Sequence, residues 1–331
     1  MRENHYLKLL MCVVGALTLL TGCGLNFTVK DPVSSNLAYD VSDLAPTVLT
    51  IVDQRTGTNV HFLMGQIGAG AKMSEKSLVT LNNVADPIAF FAGHLEKELN
   101  SRRIPVQCVT GKSITNGLTL VIHRYQIISI RATSFSPWET MHVFSGTLIS
   151  GDQKSPIKSF FYNGKVPLWS MNEILEPCFN IPMSVIIKDV ASKINRAVFR
   201  LRVPDQKVEN IAAEINAKID AKDFTDFWKV LELGYTNNSK AVGPLKKYSQ
   251  TGDELFRSCA VSSIGTLGMA EELAFLKKAY RDGWYNDRYL ALKAMGDLGT
   301  DEALAFLATV RNEPVYAKEG GVKHCIDLYL P

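Results

Sequence analysis

Between residues 88 and 99, apolar side chains fall at Ile88, Phe91, Ala92, Leu95 and Leu99, the three- and four-residue steps of one helical face. Asp86 stands ahead of them as an N-cap, Pro87 occupies the first turn, where its missing N–H leaves nothing unsatisfied, and Pro105 closes the stretch. From Pro182 onward the spacing returns at Met183, Ile186, Ile187, Val190, Ile194, Ala197, Val198 and Leu201, a second amphipathic helix. Five runs rich in β-branched residues, 47–53, 106–110, 118–130, 140–150 and 157–166, read as strands, the last two joined by a Gly151-Asp152-Gln153-Lys154 turn. The order β-α-β-β-β-β-α predicts an α+β domain over residues 47–203, two helices on a mostly antiparallel sheet.

Past residue 204 the pattern becomes helical throughout and repeats itself. Displaced by 31 residues, the chain shows eleven identities, among them Arg257/Arg288, Ala260/Ala291, Gly265/Gly296, Gly268/Gly299, Phe275/Phe306 and Tyr285/Tyr316. Within a unit, Ala260, Ser263, Ile264 and Leu267, or Ala291, Ala294, Met295 and Leu298, share a helical face that ends at Gly268 or Gly299, where a helix C-terminus favours glycine. A shorter helix follows around Leu273 and Leu276, or Leu304 and Leu307. Leu233-Gly234 and residues 242–247 fall at the same offset as a degenerate first unit, and Val322, Cys325 and Ile326 read as a truncated last helix. Residues 204–331 are therefore expected to form an all-α solenoid of helical hairpins, joined to the first domain by a helix over 207–219. At 331 residues, two domains are the expectation from length alone.

The N-terminus has a different character. A basic start, an apolar run from Leu9 to Leu20 and the small residues Thr21-Gly22 before Cys23 give the order of an export signal, too short to span a bilayer about 30 Å thick. Leu20-Thr21-Gly22-Cys23 resembles the lipobox of bacterial lipoproteins. That resemblance implies cleavage after residue 22 and fatty acylation of Cys23, with more than one acyl chain for stable anchoring. Gly24, where aspartate would favour inner-membrane retention, points to the inner leaflet of the outer membrane, with the chain facing the periplasm and the inner membrane as the other address. Residues 26–43 hold no sustained periodicity, and residues 23–46 are expected to be a lipidated tether.

Two further resemblances bear on the folded part. Ile51-Val52-Asp53-Gln54-Arg55, shortly after a lipobox and before a helix-strand unit, is similar to the Asp-x-Arg strand end of YajG-type lipoproteins, which implies an envelope lipoprotein without known catalysis. It extends over residues 47–201, and the C-terminal half departs from such short proteins. The run from Asp287 to Leu304 resembles the short HEAT-like repeats first associated with phycobilin lyases, which implies a concave or ridged surface for a partner protein. The alternative for such a small stack is packing on its own first domain.

Charge adds little. Residues 23–203 carry 18 basic and 13 acidic side chains and residues 204–331 carry 16 and 19, so the halves differ in sign, but no Lys/Arg cluster with interleaved aromatics suggests nucleic acid. After cleavage four cysteines remain besides Cys23, without a Cys-x-x-Cys pair; Cys108, Cys178, Cys259 and Cys325 are read as buried free thiols, or with Cys108 bridged to Cys178. The glycines from Gly65 to Gly70 lack the Gly-Lys-Ser/Thr end of a phosphate loop and read as a turn. No His-Glu-x-x-His or Gly-x-Ser-x-Gly occurs, and His123 and His142, on adjacent strands, are too few for a metal. No cofactor, metal or catalytic residue is expected.

What remains is binding. Trp138, Trp169, Trp228 and Trp284 suit partner anchoring or, more commonly, half-buried packing. Arg257 and Arg288, Tyr285 and Tyr316, each pair at equivalent places in successive units, together with Trp284, are the candidate partner-binding residues. The expected function is a non-enzymatic, membrane-anchored interaction module for another envelope protein. The alternative is a carrier holding a lipid or other small apolar ligand between the helix at 88–99 and the sheet.

Overall fold

A computed structural model of the chain describes residues 25–41, 44–66, 77–112, 117–133, 136–166 and 171–331. Cys23, the Gly68 and Gly70 end of the glycine-rich stretch and Trp169 lie outside the described residues. The strands are β1 (Leu25–Phe27), β2 (Thr47–Asp53), β3 (Phe62–Gln66), β4 (Ser77–Leu81), β5 (Val106–Thr110), β6 (Leu118–Arg131), β7 (Trp138–Ser150) and β8 (Gln153–Val166). They form one sheet around β6, which is flanked on one side by β2 and β3 at its two ends and on the other by β7, with β8 beyond.

The sheet is mixed rather than mostly antiparallel. β6-β7, β7-β8 and β3-β4 are antiparallel, whereas β1-β4, β2-β5, β2-β6 and β3-β6 are parallel. Three of the four parallel pairs, β2-β5, β2-β6 and β3-β6, follow from connectivity. Helix α1 (Pro87–Ser101) intervenes between the strands ahead of it and β5-β6, so the chain returns to the sheet in the same direction. Asp86 caps α1 as its sequence predicts, its carboxylate accepting from the Ile88 and Ala89 amides at 2.8 and 3.2 Å. Phe91, Leu95 and Leu99 are fully buried, and the Phe91 ring stacks on Phe144 at 5.1 Å and meets Tyr125 at 5.4 Å. These rings join the inner face of α1 to β6 and β7.

The stretch read as a tether is instead part of the fold as far as it is described. β1 pairs with β4, Val29, Leu37 and Tyr39 are buried, and the Tyr39 hydroxyl donates to the Tyr235 carbonyl at 2.8 Å. Ser35 donates through its backbone and hydroxyl to Glu98, itself paired with the fully buried Arg102 at 2.7 Å. Polar spacing along these residues hides burial because the anchoring contacts are hydrogen bonds rather than a periodic apolar face.

Helix α2 (Ile181–Ile194) lies on β7 and β8, and from Asp205 the chain is helical: α3 (Asp205–Asp220), α4 (Phe227–Tyr235), α5 (Val242–Tyr248), α6 (Glu254–Leu267), α7 (Leu273–Asp282), α8 (Tyr285–Leu298), α9 (Asp301–Arg311), α10 (Pro314–Lys318) and α11 (Gly320–Tyr329). Gly268 and Gly299 end α6 and α8 in the left-handed region, φ +74° and +64°. The 31-residue spacing is visible as three close approaches at glycine, the first two equivalent. A Cβ on Gly234 would lie 2.7 Å from Ser263, on Gly265 2.2 Å from Ala294, and on Gly296 2.3 Å from the Tyr329 ring. Each of these glycines is 31 residues from the next; the first two admit the following helix to backbone distance, and the third admits the Tyr329 ring.

The helical part does pack on the sheet, and one apolar core runs through both. At their junction lies a buried polar cluster. Lys193 on α2 bonds Asp189 and, from α8, Asp297, each at 2.7 Å. Lys293 on α8 stands 2.8 Å from Asp297 and 3.4 Å from Asp189, and the Tyr329 hydroxyl donates to Asp297 at 2.6 Å. Burial pushes the Asp189 carboxyl up, but Lys193 and Lys293, with a hydrogen bond from Ser159, outweigh it and hold the group well below the usual carboxylate range. Among the described residues no helix is long and apolar enough to cross a membrane.

Candidate functional site

The turn between α7 and α8 carries two of the sequence-predicted residues. A Cβ on Gly283 would meet the Ala279 carbonyl at 2.5 Å and Asp287 at 2.6 Å, so only glycine lets the chain double back here. Trp284 then stands as the N-cap of α8 and Tyr285 is held at φ +23°, outside the regions ordinary side chains favour. Asp287 organises the turn. Its carboxylate accepts from the Trp284 amide at 3.4 Å and is gripped by the Arg257 guanidinium at 2.7 and 3.1 Å. Arg257 also donates to the Thr251 and Gly252 carbonyls, so it braces one unit against the next.

The result is an exposed aromatic pair: Trp284 keeps 69% of its surface in solvent and Tyr285 44%. Trp284 also separates two hollows. The larger, about 690 Å³, lies between the ends of β6 and β7 and the helices, lined by Arg131, Glu139, Trp284, Tyr285, Arg288, Tyr289, Lys318 and Glu319. The smaller, about 330 Å³, lies on the other side, where Val261, Phe275 and Ala279 supply apolar wall and Arg257, Lys278 and Asp282 charge.

In the larger hollow the two walls are chemically joined. The Tyr289 hydroxyl donates to Glu319 at 2.7 Å, and its ring meets that of Tyr162, from β8, edge-on at 4.1 Å. The Gly164 amide donates to Asn286 at 3.0 Å, tying β8 to the first turn of α8. Arg288 lies 3.4 Å from Glu319 and over the Tyr280 ring at 5.4 Å. On the sheet wall, Arg131 covers the buried Trp138 ring at 4.7 Å. Burial raises the Glu139 carboxyl above its ordinary range, the Tyr162 hydroxyl opposes this, and the charge of Glu319 adds to it. Tyr289 is likewise pushed well up, first by burial and then by Glu319.

Of the five residues singled out from sequence, Trp284, Tyr285 and Arg288 line this hollow, and Arg257 supports it from behind. Tyr316 is elsewhere, its hydroxyl bonded to Asp327 at 2.5 Å and Lys323 over its ring, joining α10 to α11. Glu139, Tyr289, Lys318 and Glu319 carried no signal in the sequence because they come together only across the junction of sheet and helices.

Asp53 and Arg55 pair with each other at 2.9 and 3.1 Å, and Arg55 lowers the Asp53 carboxyl. His142 is buried, bonded to the Cys178 carbonyl at 3.0 Å and driven to a pKa of about 3 by burial, while His123 is exposed against Thr147, so the two share no site. Cys108, Cys178, Cys259 and Cys325 are free thiols, and burial raises Cys108 to about 12 and Cys178 to about 11. Among the described residues no group of three His, Cys, Asp or Glu side chains is placed to hold a metal.

No protein-family model matches the chain, and no curated protein is similar to it. One solved structure, described as "Crystal structure of uncharacterized protein", covers 53% of this chain and 99% of its own at a TM-score of 0.31 and 10% identity.

Proposed function

We propose that this protein is a lipid-anchored, non-enzymatic envelope protein that binds a segment of a partner protein across Trp284. One observation carries the binding reading: an exposed tryptophan, held by a strained turn, stands between a hollow of charged and aromatic side chains and a smaller one with apolar wall. An extended peptide lying over the indole would place a charged residue on one side and an apolar residue on the other. The three glycine approaches at a spacing of 31 support the HEAT-like resemblance, and therefore a stack of like helical units with the binding ridge between the last two. The anchor rests on the lipobox at Cys23, and Gly24 favours the periplasmic leaflet of the outer membrane.

A photo-crosslinking amino acid at position 284, compared with one at the exposed Asn312, tests the binding reading in intact cells. The expected result is one envelope protein joined at 284 and absent at 312. Equal capture at both positions, or none at 284, would refute it. Cys23→Ala should separately abolish fatty-acid labelling and release the chain from the membrane.

A further inference from the structure

Lys188 interrupts an apolar helix. Beside the buried stripe of α2, formed by Met183, Ile186, Ile187 and Val190, the polar residues Asn180, Ser184 and Lys188 follow one another at four-residue steps. On the neighbouring α4, Trp228 and Glu232 are spaced in the same way. The two faces meet across a hollow of about 320 Å³, and residues 30–34 form its third wall. That wall is pinned by the Lys30 amide on Asn180 and the Ser35 amide on Glu98, each at 2.9 Å. The hollow shares no lining residue with those beside Trp284.

Most charges around it have partners of their own. Glu176 accepts from Lys30 and Asn180, each at 2.9 Å, Glu98 is taken up by Arg102 and Ser35, and Asp31 is exposed at the rim, 3.6 Å from His94. Lys188 is different. Only 7% of it is exposed, and among the described residues its ammonium makes no hydrogen bond or ion pair. It is held over the Trp228 ring at 5.1 Å, and that ring rests on Phe227 at 5.0 Å, so the ammonium has a fixed seat in the wall. Glu232 lines the same hollow, likewise without a hydrogen-bonding partner among the described residues. Burial lowers Lys188 and raises Glu232, while each charge favours the ionised form of the other through space. Two desolvated charges of opposite sign thus line one hollow without touching.

A ligand carrying a carboxylate and an ammonium group a few bonds apart would complete both, with a charge-assisted hydrogen bond at each end and neither buried charge left alone. Hollows for small ligands begin at about 300 Å³, so this one suits a molecule of amino-acid size. We propose that it binds a free α-amino acid, with the carboxylate on Lys188 and the ammonium on Glu232.

The test titrates the purified full chain calorimetrically with each proteinogenic amino acid, then with the N-acetyl and methyl ester derivatives of whichever binds. The expected result is saturable binding that weakens by at least about tenfold when either end is blocked. Glu232→Gln should weaken the free amino acid by a similar factor and leave the N-acetyl derivative, which has no ammonium group, unchanged. Lys188→Met should do the same while leaving the methyl ester unchanged, and Asp31→Asn should have no effect. Absence of saturable heat from every amino acid at about 1 mM overturns the inference. Equal binding of the blocked derivatives, a comparison that needs no variant to fold, also overturns it, as does an affinity indifferent to Glu232→Gln.

Discussion

Lys193 and Asp297, 104 residues apart in sequence, meet at 2.7 Å with both side chains buried at the junction of sheet and helices. The pair is closed into a neutral cluster by Asp189 and Lys293. Buried ion pairs return little more than their desolvation costs, but removing one partner strands a charge. Lys193→Ala should therefore lower unfolding free energy by about 3 to 5 kcal/mol, measured by urea denaturation. A loss under about 1 kcal/mol would show the cluster to be hydrated. Because Asp189 is held below its ordinary value of 3.8, its contribution is present above that pH and is lost on further acidification.

The glycine approaches give a paired prediction. Gly265→Ala puts a methyl group 2.2 Å from the Ala294 backbone, so α6 and α8 must separate, a cost of about 1 to 3 kcal/mol. Gly93→Ala, exposed in the middle of α1 with nothing within 4 Å, should instead stabilise by roughly 0.5 to 1 kcal/mol. Equal thermal midpoints for the two variants would contradict the stacking.

His142 should make the protein acid-sensitive in a defined window. Its folded pKa of about 3 lies below the ordinary 6.5, so the stability it contributes is complete above 6.5 and falls as protons bind the unfolded chain preferentially. Between neutral pH and about pH 4.5 the loss should be about 2 to 3 kcal/mol. His142→Gln, which keeps an N–H for the Cys178 carbonyl, should flatten that part of the profile; an unchanged slope would assign it to other groups.

Glu139 works in the opposite sense. Its folded pKa is raised, so the fold disfavours the ionised form and stability declines as pH rises above the ordinary 4.5. Glu139→Gln should cost nothing at neutral pH and remove that decline in a series of thermal melts from acid to neutral pH. If it instead destabilises at neutral pH, the carboxylate is a structural acceptor.

Much of the frame was legible before any coordinates. The cap at Asp86, the buried face of α1, the long strands β6 to β8 and the glycines ending α6 and α8 all announce themselves through local chemistry. β1 is three residues long and β3 runs into a glycine-rich stretch, so neither has a periodicity to read; β2, β5 and β6 were legible as strands, but periodicity does not give the direction in which they pair. The site divides the same way. Trp284 and Tyr285 stand out as aromatics at a turn, whereas Glu139 and Glu319 acquire meaning only when β7 and the start of α11 are brought to opposite walls of one hollow.

The buried cluster also sets the phase of the stack. One unit earlier, Lys293 is replaced by Ser262, Asp297 by Thr266, Tyr289 by Ser258 and Asn286 by Leu255. A helical array sliding one notch along the sheet would leave the Asp189–Lys193 pair facing two hydroxyls in place of the second ion pair, in a dry interior. Units that are interchangeable with one another are thus not interchangeable to the sheet, and the chain has a single way of closing.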